Sequence, residues 1–112
     1  MTHIHTEDRN GFKIDFYALD EHITLEQLGY SAEDAEETRA KLERYELVMF
    51  CAKITASKNG IELAADYLCG CIYEDEKDFV NNDCYYGDMV QTVIESAKQA
   101  IIELAKVIND EK

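Results

Sequence analysis

The sequence predicts an α+β domain: a three-stranded antiparallel sheet with helices packed on one face, in the order strand, helix, strand, strand, helix. Three observations carry this. "FKIDFYAL" alternates apolar and polar residues, "ELVMFCAKITASKNGIELAADYLCGCIYE" joins two β-rich runs through Asn59-Gly60, and an apolar stripe recurs at helical spacing between 86 and 109.

Residues 1–10 read as a flexible polar arm. A strand over 12–19 turns Phe12, Ile14, Phe16 and Ala18 one way and Lys13, Asp15 and Tyr17 the other. A short helix over 24–28 follows, with Thr24 and Gln27 at capping-box spacing, Ile23 and Leu28 at staple spacing, and Gly29 to close it. Ser31 starts a helix expected to reach 45, whose thin stripe of Ala35, Thr38, Leu42 and Tyr45 leaves it mostly exposed. Strands over 46–57 and 61–73 form a hairpin in which a type I′ turn pairs Lys58 with Ile61. Carried on without interruption, that register sets Ser57 opposite Glu62, Lys53 opposite Asp66 and Phe50 opposite Cys69. The third strand, apolar on both faces in its second half, takes the centre, so the spatial order of the strands is first, third, second. Asp75 caps a short helix over 76–81, and a long helix over 86–109 aligns Val90, Ile94, Ala97, Ile101, Leu104 and Ile108.

A chain of 112 residues fits one domain, 1–112. At this size folding buries roughly 65% of the unfolded surface, enough for a core without staples. Asp and Glu number 24 against 11 Lys and Arg, a net charge of −13. Such a surface repels nucleic acid and anionic membranes and attracts basic partners. "THIHTEDRNG" after Met1 lacks the apolar stretch of a signal peptide, and no run reaches the ~18 apolar residues of a membrane span, so the expected location is cytoplasmic. Cys51, Cys69, Cys71 and Cys84 are then expected to be free thiols, with Cys51 the exposed one on the face opposite Cys69 and Cys71.

Catalytic and metal chemistry finds few parts. An EF-hand loop started at Asp75 would have Val80 where glycine is needed. Cys69-Gly70-Cys71 lacks the two-residue spacing of zinc ribbons, although Cys84 and His22 complete a conceivable set. His3 and His5, with Glu7 and Asp8, could meet one metal from an extended arm, yet a disordered terminus explains them as well. His22 is the one histidine outside the arm, and no phosphate loop or nucleophile elbow occurs. Lys53, Thr55 and Lys58 stand among Asp66 and Glu62, which is no basic stripe for RNA. The reading is a protein that is not an enzyme and holds no metal or cofactor.

What remains is the acidic, partly aromatic surface: Glu33, Asp34, Glu36 and Glu37 on one helix, and Tyr73, Glu74, Asp75, Glu76, Asp78, Asp83, Tyr85, Tyr86 and Asp88 in "YEDEKDFVNNDCYYGD". Carboxylates on a rigid scaffold can imitate the regular charge of a phosphate backbone, and tyrosines add contact area. In size and charge the chain resembles the acidic DNA-mimic inhibitors of phages and plasmids, of the anti-CRISPR and anti-restriction class. The resemblance implies a cytoplasmic binding protein that occupies a basic surface of a nucleic-acid-acting protein. Two alternatives stay open: a self-assembling accessory protein that forms a homodimer through the terminal helix or the outer sheet face, and a small-molecule binder with a pocket between sheet and helix.

Overall fold

The computed structural model describes residues 1–81 and 85–110, without the side chains of 109 and 110. The elements are β1 (Thr2–Arg9), β2 (Phe12–Leu19), α1 (Ala32–Glu43), β3 (Val48–Lys58), β4 (Ile61–Tyr73), α2 (Asp78–Asn81) and α3 (Tyr85–Asp110). The sheet has four strands in the order β1-β2-β3-β4, each neighbouring pair antiparallel. The α+β class stands, but the three-stranded sheet with strand 61–73 at its centre does not.

Two physical reasons account for the difference. The supposed arm is a strand because Asn10-Gly11 makes the same turn as Asn59-Gly60: φ is 56° and 84° in the first, 54° and 79° in the second. Two consecutive positive φ values close a two-residue hairpin, pairing Arg9 with Phe12 as they pair Lys58 with Ile61. The centre goes to β3, because Ile14 and Phe16 of β2 meet Ala56 and Ile54 of β3, and all four are buried. β4 lies at the edge, where Leu68, Ile72 and Tyr73 are only half-buried.

The β3–β4 register departs from uniform alternation twice. Lys58–Ile61 and Ser57–Glu62 pair as expected. A bulge at Leu63 then brings Ala56 opposite Ala64, Ile54 opposite Asp66 and Lys53 opposite Tyr67. A second bulge, in which Cys69 and Gly70 face Cys51, leaves Phe50 opposite Cys71 rather than Cys69. A one-residue slip turns each side chain to the other face. Cys71 therefore enters the core, and Cys69 joins Cys51 on the other side.

α3 packs across β3 and β4. The core combines Phe12, Ile14 and Phe16 with Phe50, Ala52, Ile54 and Ala56, and covers them with Phe79, Tyr86, Met89, Val90, Val93, Ile94 and Ala97. Phe79, from the single turn of α2, is fully buried, with ring centroids of Phe16 at 5.2 Å, Tyr73 at 5.6 Å, Phe50 at 6.1 Å and Tyr86 at 6.3 Å. Each such pair is worth about 0.5–1.5 kcal/mol beyond the area it buries. The far end of the α3 stripe is less covered, and Ile101, Leu104 and Ile108 there are exposed. Among the described residues, no helix is long and apolar enough to cross a membrane.

Local signals fix the remaining ends. The capping box forms, with Thr24 N–H donating to Gln27 Oε1 (2.9 Å) and Gln27 N–H to Thr24 Oγ1 (3.1 Å), but it closes a turn rather than a helix over 24–28. Ser31 caps α1, accepting from Asp34 N–H. α1 ends at Glu43, short of the expected 45, because Tyr45 adopts φ 61° and Glu46 N–H returns to Lys41 O at 2.9 Å. α2 spans Asp78–Asn81 instead of 76–81, and Asp75 Oδ1 accepts from Lys77 N–H at 2.8 Å ahead of it.

Gly70 has φ +76°, and a Cβ there would lie 2.7 Å from Cδ2 of Leu28, a flexible and partly exposed side chain. Backbone strain should then outweigh the clash. Gly70→Ala is expected to cost about 1–2 kcal/mol, the usual penalty of the left-handed region for an L-residue. The loss measured by urea denaturation should be the same in a Leu28→Ala background, since removing the clashing group leaves φ unchanged.

Candidate functional site

α1 buries only Ala35 and exposes Glu33, Asp34, Glu36 and Glu37. These acids stand one to four residues apart, and like charges three or four apart on a helix repel. Lys41 reaches Glu37 at 3.8 Å, while Arg39 turns away to Glu26 at 2.8 Å. That bond holds the Glu26 carboxyl below its ordinary pKa and raises that of Arg39. Among the described residues no cation lies within ion-pair distance of Glu33, Asp34 or Glu36.

In the second acidic stretch Glu74, Asp75 and Asp88 are exposed, and Glu76 and Asp78 are half-buried. Phe79 fixes this segment to the core, so its carboxylates sit on an anchored backbone. Asp83, like Cys84, lies outside the described residues. Tyr86 is not a surface anchor: it is 4% exposed and its ring packs on Phe16, Phe79 and His5. The signal for this was its spacing, four residues before Val90 and seven before Val93, which places it on the stripe of α3. Tyr85 is 57% exposed, and Tyr73 is half-buried against Phe50 and Phe79.

Each acidic group is preceded in sequence by a tyrosine that lines one cleft. Tyr30, Tyr73 and Tyr85 line it together with Leu68–Ile72 of the β4 edge, and its volume is about 330 Å³. Tyr30 directly precedes the cap of α1, Tyr73 directly precedes Glu74, and Tyr85 begins α3 three residues before Asp88. The cleft thus gathers the starts of α1 and α3 and the end of β4, each followed by its carboxylates.

A further cluster was not expected. Cys51 and Cys69 form a disulfide, and a carboxylate oxygen of Glu21 and the two sulfurs lie within 4.8 Å of one another. The expectation of free cysteines is corrected for this pair, and so is that of an exposed Cys51, which is buried. Glu21 Oε2 accepts from Gly70 N–H (2.6 Å) and Oε1 from Ile23 N–H (2.9 Å). Partial burial raises the pKa of Glu21, but the amides of Ile23, Gly70 and His22 together outweigh it, and the carboxyl sits below its ordinary value. Gly70 within a strand signals the bulge that returns Cys71 to the core, but the slip at Leu63 that brings Cys69 to Cys51 carries no such signal.

The other metal groupings disperse. Cys69 and Cys71 point to opposite sides rather than into one zinc set. A bulge between His3 and His5 separates the histidines. His3 Nε2 lies 2.8 Å from Asp15 Oδ1 and its ring 5.1 Å from Tyr17, whereas His5 Nε2 lies 3.1 Å from Glu7 Oε2 and its ring 6.0 Å from Tyr86. On the face away from α3, His3, Tyr17, Lys53 and Tyr67 stand opposite one another across the four strands. Lys53 Nζ is 5.9 Å from the ring of Tyr17 and 5.8 Å from that of Tyr67, so this cation is already held.

Cys71 is the free thiol among the described residues; burial pushes its pKa up, and Sγ donates to Leu68 O at 3.2 Å. The thiolate is the nucleophile, so in reduced protein at neutral pH iodoacetamide should modify exposed Cys69 well before Cys71, as read by peptide mass mapping. Because the folded thiol holds its proton more tightly than the unfolded one, Cys71 contributes stability that is lost as pH rises through its folded pKa. Comparison with protein-family models, with curated proteins and with solved structures finds no match for the chain.

Proposed function

We propose that the protein is a non-enzymatic binding protein that docks its acidic, tyrosine-lined rim on a basic surface of a nucleic-acid-acting protein. The observation that carries this reading is the convergence of Tyr30, Tyr73 and Tyr85 on one cleft, with Glu33 and Asp34, Glu74 and Asp75, and Asp88 following them in sequence. Aromatic anchors within a charged rim are the anatomy of a protein interface. Glu33 and Asp34 suit the first turn of α1 and Glu37 meets Lys41, but Glu36 has neither support and these acids repel one another.

The self-assembling alternative has its own support at the far end of α3. Ile101, Leu104, Val107 and Ile108 are exposed beside Ile61 and Leu63, which share shallow clefts with the helix. Over 98–108 the helix carries Lys98 and Lys106 against Glu103, so this part of an acidic molecule does not repel a second copy. Wild-type protein should sediment as a dimer and Leu104→Glu as a monomer; wild type that stays monomeric at high concentration would remove this reading.

The main reading is tested by affinity capture with wild type and with a variant carrying Glu33→Gln, Asp34→Asn, Glu36→Gln and Glu37→Gln. The expectation is that wild type retains nucleic-acid-acting proteins, that added duplex DNA releases them, and that the variant loses most of this binding at low salt. Changing exposed surface acids should move stability by no more than about 0.5 kcal/mol. Equal retention by the variant, or indifference to DNA, would overturn the reading.

A further inference from the structure

We propose that Cys51, Cys69 and Glu21 form a binding site for a thiophilic divalent cation, zinc in particular, which opens when the Cys51–Cys69 disulfide is reduced. This inference does not depend on the reading of the acidic rim. In the disulfide the two sulfurs are bonded to each other and neither is a thiolate. A dithiol or phosphine reductant supplies two electrons, the S–S bond breaks, and two protons from solvent give two thiols. Zinc then displaces both thiol protons to the buffer and takes the two thiolates.

The geometry supplies three protein ligands. The sulfurs and the Glu21 oxygen already lie within 4.8 Å of one another, so one ion can bridge them with small movements. Two thiolates and a carboxylate leave one tetrahedral position for water. Glu21 is oriented before any metal arrives, since the amides of Gly70 and Ile23 each hold one of its oxygens. Outer hydrogen bonds of this kind fix a ligand and tune the ion. Leu28 packs against Gly70 beside the pair, and Cys51 is buried, so the site is sheltered on one side and open at exposed Cys69.

The test uses the full chain and cobalt(II), whose thiolate charge-transfer band reports sulfur ligation and ignores the many surface carboxylates. Phosphine-reduced protein should give a saturable band that zinc abolishes, and oxidised protein should give none. Cys51→Ser and Cys69→Ser should each remove the band, whereas Cys71→Ser and Cys84→Ser should keep it. Glu21→Gln, which can still accept from Gly70 N–H, should weaken cobalt binding at least about tenfold, a loss that even outer-shell changes produce. Circular dichroism establishes that each variant is folded. If either serine variant at 51 or 69 fails to fold, Glu21→Gln and the Cys71 and Cys84 variants still decide. The proposal is overturned by a band that persists without Cys51 or Cys69, that requires Cys71 or Cys84, that is indifferent to Glu21→Gln, or that is missing from reduced wild type.

Discussion

The conformation of Gly70 decides what the β4 edge presents. A positive φ at this position lets Cys69 and Gly70 together oppose the single residue Cys51, and every side chain beyond is displaced by one place. Cys71 then lies opposite Phe50 inside the core, and Tyr73 comes opposite Val48 and packs on Phe79. Without this bulge the register set at Leu63 would run on, Gly70 would lie opposite Phe50, Cys71 would turn outward and Tyr73 would leave the aromatic cluster. The placement of Cys71 and Tyr73 therefore rests on Gly70, whereas the meeting of Cys69 with Cys51 is set by the earlier slip at Leu63. Gly70 N–H also binds Glu21, so the loop after β2 is tied to the same point.

Much of the fold was legible where a residue acts through its own backbone. Asn59-Gly60, the Ser31 cap, the Asp75 turn and the stripe of α3 all formed as their chemistry dictates. Asn10-Gly11 carried the same information as Asn59-Gly60, but the strand before it has Ile4 as its sole large aliphatic residue. A strand that packs little apolar surface shows no alternation, and β1 is held largely by its pairing with β2. The hairpin register failed for a different reason. Alternation extrapolates from a turn only while each residue has one partner, and Leu63 and Gly70 each break that condition. The cysteine pair was illegible for the same cause, since its partners are chosen by the slip. Tyr86 belongs at once to the charged run and to the helical stripe of α3, and its packing follows the stripe.

The acidic rim combines rigid and loose supports. Phe79 sits among four aromatic rings, so the segment from Glu74 to Asp78 is bound between β4 and a buried anchor. α1 has no such anchor beyond Ala35 and is defined by its caps and its own hydrogen bonds. Isolated helices of about this length are marginal in water, and like charges along one face weaken them further. A basic partner would reverse the sign of that last effect, because cations placed among the acids replace repulsion by attraction. Ordering of α1 and binding at the rim are then favoured by the same charges.

α3 links the two candidate surfaces and also separates them. Its stripe is continuous in sequence, but it is not evenly covered: Val90, Ile94 and Ala97 are buried in the core, while Ile101 and Leu104 only flank Ile61 and Leu63 in shallow clefts and Ile108 is exposed. Tyr85 at the cleft and Ile108 at the exposed end are 23 residues apart, about 35 Å along a helix rising ~1.5 Å per residue. That distance exceeds the Debye length of about 8 Å at physiological salt several times over. Charge gathered at the cleft is therefore screened before it reaches the apolar end. A second copy on the tail and a basic partner at the rim would not compete for space or field, and pairing through the tail would present two rims to one partner assembly. Linked sites bind with a higher effective concentration than either alone, provided the partner's basic surfaces lie within reach.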